Sequence, residues 1–268
     1  MKNSFKYIKN ILKVLIWPTI FTVGSFIINY IFVAIYNSKE QGTMSNNEFI
    51  DYIKTLEYQE KLNNYINSKS ILIIIITCLV FIPILYKVLK KYKKENNFKL
   101  KNMVLPIILG ITISLTYNII LFYLNNLFHF TNVFEISTLP IIVQIICSGI
   151  CGPILEELIF RGIVYNKLKK FNKVKTSMIL TSLIFALFHT NIVNALYAFI
   201  VSFVLINLYE KYKSLKAPII MHITLNTTII LMLNLIIKNY IVFNLYLLII
   251  SLLILFISKK IIKMEYKK

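Results

Sequence analysis

The sequence predicts an all-α membrane protein, a polytopic helical bundle of about eight transmembrane helices with both the N- and C-termini in the cytoplasm. Hydrophobic residues make up 57% of the 268 residues, and the mean hydropathy is +0.71. The charged residues are concentrated in short blocks between long apolar runs. This pattern is typical of a chain that crosses a bilayer several times, because each crossing needs about 20 apolar residues.

Eight apolar runs define the predicted spans, and no internal repeat or separate soluble domain interrupts them. We therefore treat residues 1–268 as a single transmembrane domain. The longest polar segment, residues 37–70, contains apolar residues at helical spacing that predict a short amphipathic helix, namely Phe49, Ile50, Ile53 and Leu56. The spans are predicted, in chain order, at residues 14–36, 71–89, 103–124, 140–165, 176–189, 192–209, 217–237 and 240–258.

The basic residues set the orientation of these spans. With the N-terminus inside, 25 of the 30 Lys and Arg residues fall in segments that face the cytoplasm, and 5 fall in segments that face outwards. Cytoplasmic loops of membrane proteins carry such an excess. Topology therefore explains the formal net charge of +19. Since no basic helix or RNA-binding motif accompanies this charge, we expect no nucleic acid among the partners.

Cysteine usage indicates packing rather than a disulfide framework. Cys78, Cys147 and Cys151 all fall in apolar runs and form no C-x-x-C pair. Ile, Asn and Lys are abundant, while Gly and Pro are scarce at 6 each. We attribute this bias to an AT-rich bacterial genome, so we expect an integral, multi-pass protein of a bacterial cytoplasmic membrane.

An acidic pair lies inside the fourth predicted span. Glu156 and Glu157 are the only two acidic residues within any predicted span, and an ionised carboxylate there is costly unless it is paired or faces a polar cavity. Arg161 follows Glu157 at i, i+4, the spacing that lets the two side chains pair on a helix. Glu156 lies about 100° round the helix and points elsewhere. Pro153, just upstream, removes a backbone donor and should interrupt the helix.

Two later spans carry polar residues that could meet Glu156. His189 ends the fifth span, with Phe185 one turn before it, and His222 lies early in the seventh span, with Asn226 one turn after it. Glu156 and His189 are equally far from the loop that joins their spans, so an antiparallel hairpin brings them to similar depth. His222 enters from the cytoplasmic side by roughly two turns, about 9 Å.

This set of residues predicts hydrolytic chemistry, with two mechanisms left open. A carboxylate in an apolar site can act as the general base towards water, and His and Asn side chains can stabilise a developing oxyanion. Alternatively, Glu156, His189 and His222 could bind zinc and leave a fourth position for water. The sequence contains no H-E-x-x-H motif, which excludes a zincin-type helix as the source of such a site.

Three motifs in separate spans, Glu156-Glu157-x-x-x-Arg161, Phe185-x-x-x-His189 and His222-x-x-x-Asn226, resemble those of the CPBP intramembrane protease family. That family includes type II CAAX prenyl endopeptidases and bacterial Abi proteins. The resemblance covers residues 140–235 and implies a catalytic core there. It implies that Glu156 activates water, that His189 assists, and that His222 and Asn226 bind the oxyanion. Glu157, Arg161 and Phe185 would be supporting residues. The family name implies a metalloprotease, but we expect a metal-independent glutamate mechanism.

Three functions are compatible with the sequence. The first is an intramembrane endopeptidase that cuts a membrane-embedded or lipid-anchored peptide or protein, in bacteriocin or pheromone processing or in self-immunity. The second is a non-catalytic membrane immunity or scaffold protein that binds a toxin or partner, although a pure binder has no need of a full hydrolytic set. The third is a proton-coupled transporter, although no repeat of broken helices is visible between the two halves. We expect the first.

Overall fold

A computed structural model describes residues 2–92, 97–128, 139–189, 192–235, 248, 250–252 and 254–256. Between residues 2 and 235, the described part contains eight principal helices and no strand. In chain order they are α1 (Lys2–Gln41), α2 (Asn46–Tyr52), α3 (Leu56–Leu89), α4 (Val104–Phe128), α5 (Ile141–Leu168), α6 (Val174–Leu187), α7 (Ile192–Tyr212) and α8 (Lys216–Leu235).

The predicted all-α, polytopic class is confirmed. Six of the helices, namely α1, α3, α4, α5, α7 and α8, are long and apolar enough to cross a membrane. The remaining apolar helix, α6, has 14 residues and is only about 21 Å long, which is shorter than a bilayer core of about 30 Å. The seven predicted spans between residues 14 and 237 correspond in order to these seven helices. The predicted eighth span, residues 240–258, lies largely outside the described residues.

The first two spans extend well beyond their apolar runs. Helix α1 has 40 residues and α3 has 34, so each is longer than a bilayer core is thick. The amphipathic helix predicted for this region is present as α2, but its bounds differ from the prediction. Ile53 caps the end of α2. Leu56 already belongs to α3, whose start is capped by the side chain of Thr55, which accepts from the backbone N–H of Tyr58.

Helix α5 is the centre of one of two large apolar clusters. Its buried residues between positions 155 and 168 pack against α1, α3 and α6, and the described members of this cluster include Val14, Phe81, Leu85, Ile159 and Phe185. The second cluster joins α4, α7 and α8, as at Leu109, Leu205 and Met221. The ring of Phe185, in the first cluster, lies 6.1 Å from the ring of His222, which follows Met221 of the second cluster in the chain.

The irregularity predicted at Pro153 is observed as wider turns within a continuous helix. Residues Ile145–Cys151 and Leu158–Tyr165 are π-helical, and the α-helical segment Gly152–Glu157 lies between them. The side-chain amide of Asn166 donates to the carbonyls of Arg161 and Gly162 over 3.1 and 2.7 Å. Such turns are frequent at functional sites, and these two flank the acidic pair.

A glycine allows α4 and α8 to approach closely. A Cβ atom added to Gly110 would lie 2.7 Å from the carbonyl oxygen of Met221 and 2.8 Å from Cβ of Thr224. No side chain fits in that space without a backbone shift. The contact fixes α8 beside α4 next to His222.

Candidate active site

The predicted pairing of Glu157 with Arg161 is present and fully buried. Oε1 of Glu157 lies 2.7 Å from Nη1 of Arg161, and both side chains are 0% exposed. The guanidinium group also stacks on the ring of Phe185, 4.5 Å from its centroid. A buried ion pair is stable only when hydrogen bonds and packing compensate for the lost hydration. Phe185 therefore supports the acidic pair through Arg161.

A contact that the sequence does not reveal joins Glu157 to His222. The same Oε1 atom of Glu157 lies 2.8 Å from Nδ1 of His222, which is 5% exposed. An ionised carboxylate can only accept, so Nδ1 of His222 carries the hydrogen and Nε2 is left for the site. No pattern in either segment signals this pairing, because the two residues are 65 positions apart.

The position of the turn between α7 and α8 explains how His222 reaches Glu157. Leu215, in that turn, packs against a small buried cluster that includes Tyr165, and its Cδ1 atom lies 3.6 Å from the position that a Cβ atom on Gly162 would occupy. The turn thus lies beside α5 near Gly162. His222 therefore meets Glu157 although it is only six residues from the start of α8.

Glu156 has a different environment from its neighbour. Its side chain is 31% exposed, and its Oε2 atom lies 3.8 Å from Nε2 of His222. It lines a cavity of about 270 Å³. Glu157 thus belongs to a buried network, whereas the adjacent Glu156 faces the cavity.

His189 reaches the same cavity from the end of α6. Its backbone N–H donates to the carbonyl of Ala186, and Nδ1 of its ring lies 2.9 Å from the carbonyl oxygen of Phe185. A carbonyl can only accept, so Nδ1 carries the hydrogen and Nε2 offers a lone pair. The side chain thus adds a second hydrogen bond to the Phe185 carbonyl, which also accepts from the backbone N–H of Phe188 at the end of the helix. Glu156 and His189 thus line the same cavity.

Asn226 is on the same face of α8 as His222 but makes a structural contact. Its Nδ2 atom donates to the carbonyl of Ser148 over 3.0 Å, within the first π-helical segment of α5. Two turns further along α8, Asn234 exchanges hydrogen bonds with Gln144 over 3.3 and 3.4 Å. Neither His222 nor Asn226 is among the described residues that line the cavity.

The cavity has three lining positions on α1 and one on α7 that sequence reasoning missed. Pro18, Phe21 and Thr22 contribute one wall, and Asn194 contributes part of another. Thr22 donates to the carbonyl of Pro18, which keeps its hydroxyl within α1. None of the four belongs to the three motifs, and only Pro18, a proline inside a span, gave a local signal. The remaining lining residues are Glu156, Phe160, Phe185, Phe188 and His189.

Glu156, His189 and His222, the residues that would bind zinc in the metal-dependent alternative, are not grouped as a metal centre. Within the ranges that the structure covers, no group of three His, Cys, Asp or Glu side chains could hold a metal ion. Nδ1 of His222 is already bonded to Glu157, and Nδ1 of His189 to a carbonyl. These bonds leave Nε2 of each ring available, as in metal-binding histidines, but the described residues place no group of three ligands close enough to hold an ion, so no step of the chemistry below is routed through a metal.

Comparisons with known proteins find similarity in the part of the chain that contains the three motifs. Residues 138–228 match the family model described as "Type II CAAX prenyl endopeptidase Rce1-like". A protein of Bacillus subtilis (strain 168), named "Putative membrane peptidase YdiL", is 33% identical over 98 residues. The match includes 37% of this chain and 40% of that relative's length. No solved structure is significantly similar. The resemblance drawn from the three motifs is confirmed to this extent: all three motifs lie within residues 138–228, the segment that is similar to the Rce1-like family model.

Proposed function

We propose that this protein is an intramembrane endopeptidase of a bacterial cytoplasmic membrane, which hydrolyses a peptide bond by glutamate-activated water without a metal ion. One observation carries the proposal above the others. Glu156 faces a cavity together with His189, while the adjacent Glu157 is bound in a buried network with Arg161 and His222. A cavity that combines a carboxylate with an imidazole can position and deprotonate a water molecule.

The proposed reaction needs no covalent intermediate. Glu156 takes a proton from water, and Nε2 of His189 holds the same water by accepting its other hydrogen. The hydroxide attacks the scissile carbonyl carbon, and the carbonyl π electrons move to oxygen to give a tetrahedral oxyanion. The carbon–nitrogen bond then breaks, and the proton held by Glu156 passes to the leaving amine. Each step conserves atoms and charge.

His222 and Asn226 are proposed to stabilise the oxyanion. Glu157 accepts the hydrogen bond from Nδ1 of His222 and holds the ring in place, and a proton on Nε2 would let that atom donate to the oxyanion. Asn226 donates one amide hydrogen to Ser148 and retains a second. Both groups must turn towards the substrate once it is bound, since catalytic hydrogen bonds are often long in the empty enzyme.

The cavity walls indicate the class of substrate. Four phenyl rings surround the polar groups, from Phe21, Phe160, Phe185 and Phe188. These walls favour apolar side chains beside the scissile bond, as found in membrane-embedded or lipid-anchored peptides. Maturation of a bacteriocin or pheromone precursor, or self-immunity to a bacteriocin, would supply such a peptide.

The decisive experiment compares membrane peptides by mass spectrometry in cells that carry wild-type protein or Glu156→Gln. The expected result is a set of peptides that accumulate uncut in the variant at equal protein abundance. Glu57→Gln is the matched control, because Glu57 forms an exposed ion pair with Lys61 and does not line the cavity. Identical peptide sets for wild type and Glu156→Gln would contradict the proposal.

Two further measurements distinguish the alternatives. A biological effect that survives His222→Ala at normal expression would favour a non-catalytic immunity or scaffold protein. Activity that is lost on titration with a chelator and restored by zinc would favour the metal-dependent mechanism through Glu156, His189 and His222.

A further inference from the structure

Asn194 is a polar residue on an otherwise lipid-facing part of α7. Its neighbours Ile192, Leu196 and Ile200 are 73%, 63% and 63% exposed. A polar side chain within a membrane span is costly unless it has partners or faces a polar cavity. Asn194 lies in the wall of the cavity that holds Glu156 and His189, which indicates a role in that cavity.

A tyrosine on a neighbouring helix sets the orientation of this amide. The hydroxyl of Tyr117, on α4, donates to Oδ1 of Asn194 over 2.5 Å. Tyr117 in turn stacks on Tyr197, one turn further along α7, with ring centroids 3.6 Å apart and planes inclined by 16°. The acceptor oxygen of Asn194 is thereby occupied, and the two N–H donors on Nδ2 remain for a ligand.

The other lining side chains of the cavity offer acceptors but few donors, so the N–H groups of Asn194 are available to bind a peptide carbonyl. Glu156 and Nε2 of His189 are acceptors, and the phenyl walls offer no strong hydrogen-bond donor. A peptide that enters for cleavage must be extended at the cut site, and its backbone carbonyls then lose their helical partners. Unsatisfied carbonyls cost several kcal/mol in a membrane. An amide donor in the wall would therefore stabilise the bound, unwound segment.

On the basis of the proposed function, we infer that Asn194 is a substrate-binding residue. Its Nδ2 group donates to a main-chain carbonyl of the peptide in the cavity, and Tyr117 is the positioning residue that orients the amide. The substrate class that follows is a membrane peptide unwound next to its scissile bond, because a helix has no free carbonyl in its interior to accept this hydrogen bond.

The test measures KM and kcat of reconstituted, full-length protein. The probe is a pool of quenched fluorescent peptides of randomised apolar sequence with a palmitoyl anchor, in vesicles of phosphatidylethanolamine and phosphatidylglycerol. Only cleavage that Glu156→Gln abolishes is counted. For the best-cleaved peptide, Asn194→Ala should raise KM about tenfold and change kcat by less than about twofold, as loss of a ground-state hydrogen bond predicts. Asn207→Ala, on the same helix outside the cavity, should leave both constants unchanged.

Two further variants separate binding from folding. Asn194→Asp keeps the size of the side chain but removes its donors, so it should raise KM at least as much as Asn194→Ala. Tyr117→Phe should raise KM about threefold in the wild-type background and have no further effect in Asn194→Ala, because the two residues act as a unit.

The outcomes that overturn the inference are separate from those that overturn the proposed function. Normal cleavage with an unchanged KM in Asn194→Ala and Asn194→Asp contradicts the inference alone. An equal effect of Tyr117→Phe in both backgrounds contradicts the assigned role of Tyr117. If wild-type protein cleaves no member of the pool in a manner that depends on Glu156, the proposed function fails and the inference fails with it.

Discussion

Glu157 and His222 share a buried hydrogen bond of 2.8 Å, and this bond places Nε2 of His222 3.8 Å from the carboxylate of Glu156. Because of this bond, the two consecutive glutamates have different roles. Glu157 joins α5 to α8 and compensates the buried charge of Arg161, while Glu156 stays available to the cavity. The two carboxylates should therefore respond differently to the same substitution.

Glu157→Gln should lower both stability and activity, whereas Glu156→Gln should lower activity alone. Neutralising Glu157 leaves the buried guanidinium of Arg161 without its counter-ion, which costs about 3–5 kcal/mol. Substitution of the partly exposed Glu156 should change the free energy of unfolding by less than about 0.5 kcal/mol. Chemical unfolding in mixed micelles measures the two values. Equal losses of stability in the two variants would contradict the division of roles.

Arg161→Lys should destabilise the protein although the charge is kept. The guanidinium pairs with Glu157 over 2.7 Å and stacks on Phe185 at the same time, and an ammonium group cannot reproduce that planar geometry. We expect the free energy of unfolding to fall by about 2 kcal/mol. This is more than a surface substitution costs and less than complete removal of the ion pair. Lys169→Arg, at a partly exposed ion pair with Glu210, is the control and should leave the unfolding midpoint unchanged.

Gly110→Ala should separate α4 from α8 and disturb the site indirectly. The added Cβ atom would lie 2.7 Å from the carbonyl oxygen of Met221, next to His222 in the chain. Overpacking of this kind costs about 1–3 kcal/mol, so both the thermal transition and the rate of cleavage should fall. Ile111→Ala is the control, because Ile111 is 37% exposed and its truncation relieves no tight contact. A stable and fully active Gly110→Ala protein would contradict the close helix contact.

Phe21→Ala should change which peptides are cut rather than whether cutting occurs. Phe21 contributes to the cavity wall from α1, and its removal makes room for a larger side chain beside the scissile bond. The preference between a bulky and a small apolar residue there should shift about tenfold, as is usual for hydrophobic pockets. Phe26→Ala, at a 72% exposed position of the same helix, should leave the preference unchanged. An identical cleavage profile for the two variants would remove α1 from the substrate site.

Much of the fold could be predicted from the sequence because the bilayer imposes a simple rule. Every span must be helical and apolar over a fixed length, so the runs of residues 103–124 and 192–209 correspond closely to α4 and α7. The extent of α1 and α3 beyond their apolar runs could not be predicted in this way. Outside the bilayer, helix length depends on local capping and side-chain packing, as at Thr55 and Tyr58.

The features of the site also fall into two groups, those that could be predicted from the sequence and those that could not. The sequence by itself determined the helical membrane class, the three motifs and the pairing of Glu157 with Arg161, because all of these depend on local spacing and on the cost of charge in an apolar medium. Only the tertiary structure decided that Glu157 also holds His222, that Asn226 bonds to Ser148, and that Asn194 and Phe21 line the cavity. Those contacts join residues far apart in the chain. Their geometry follows from how the helices pack, as at Gly110 and at the turn before α8, and no spacing along one helix encodes it.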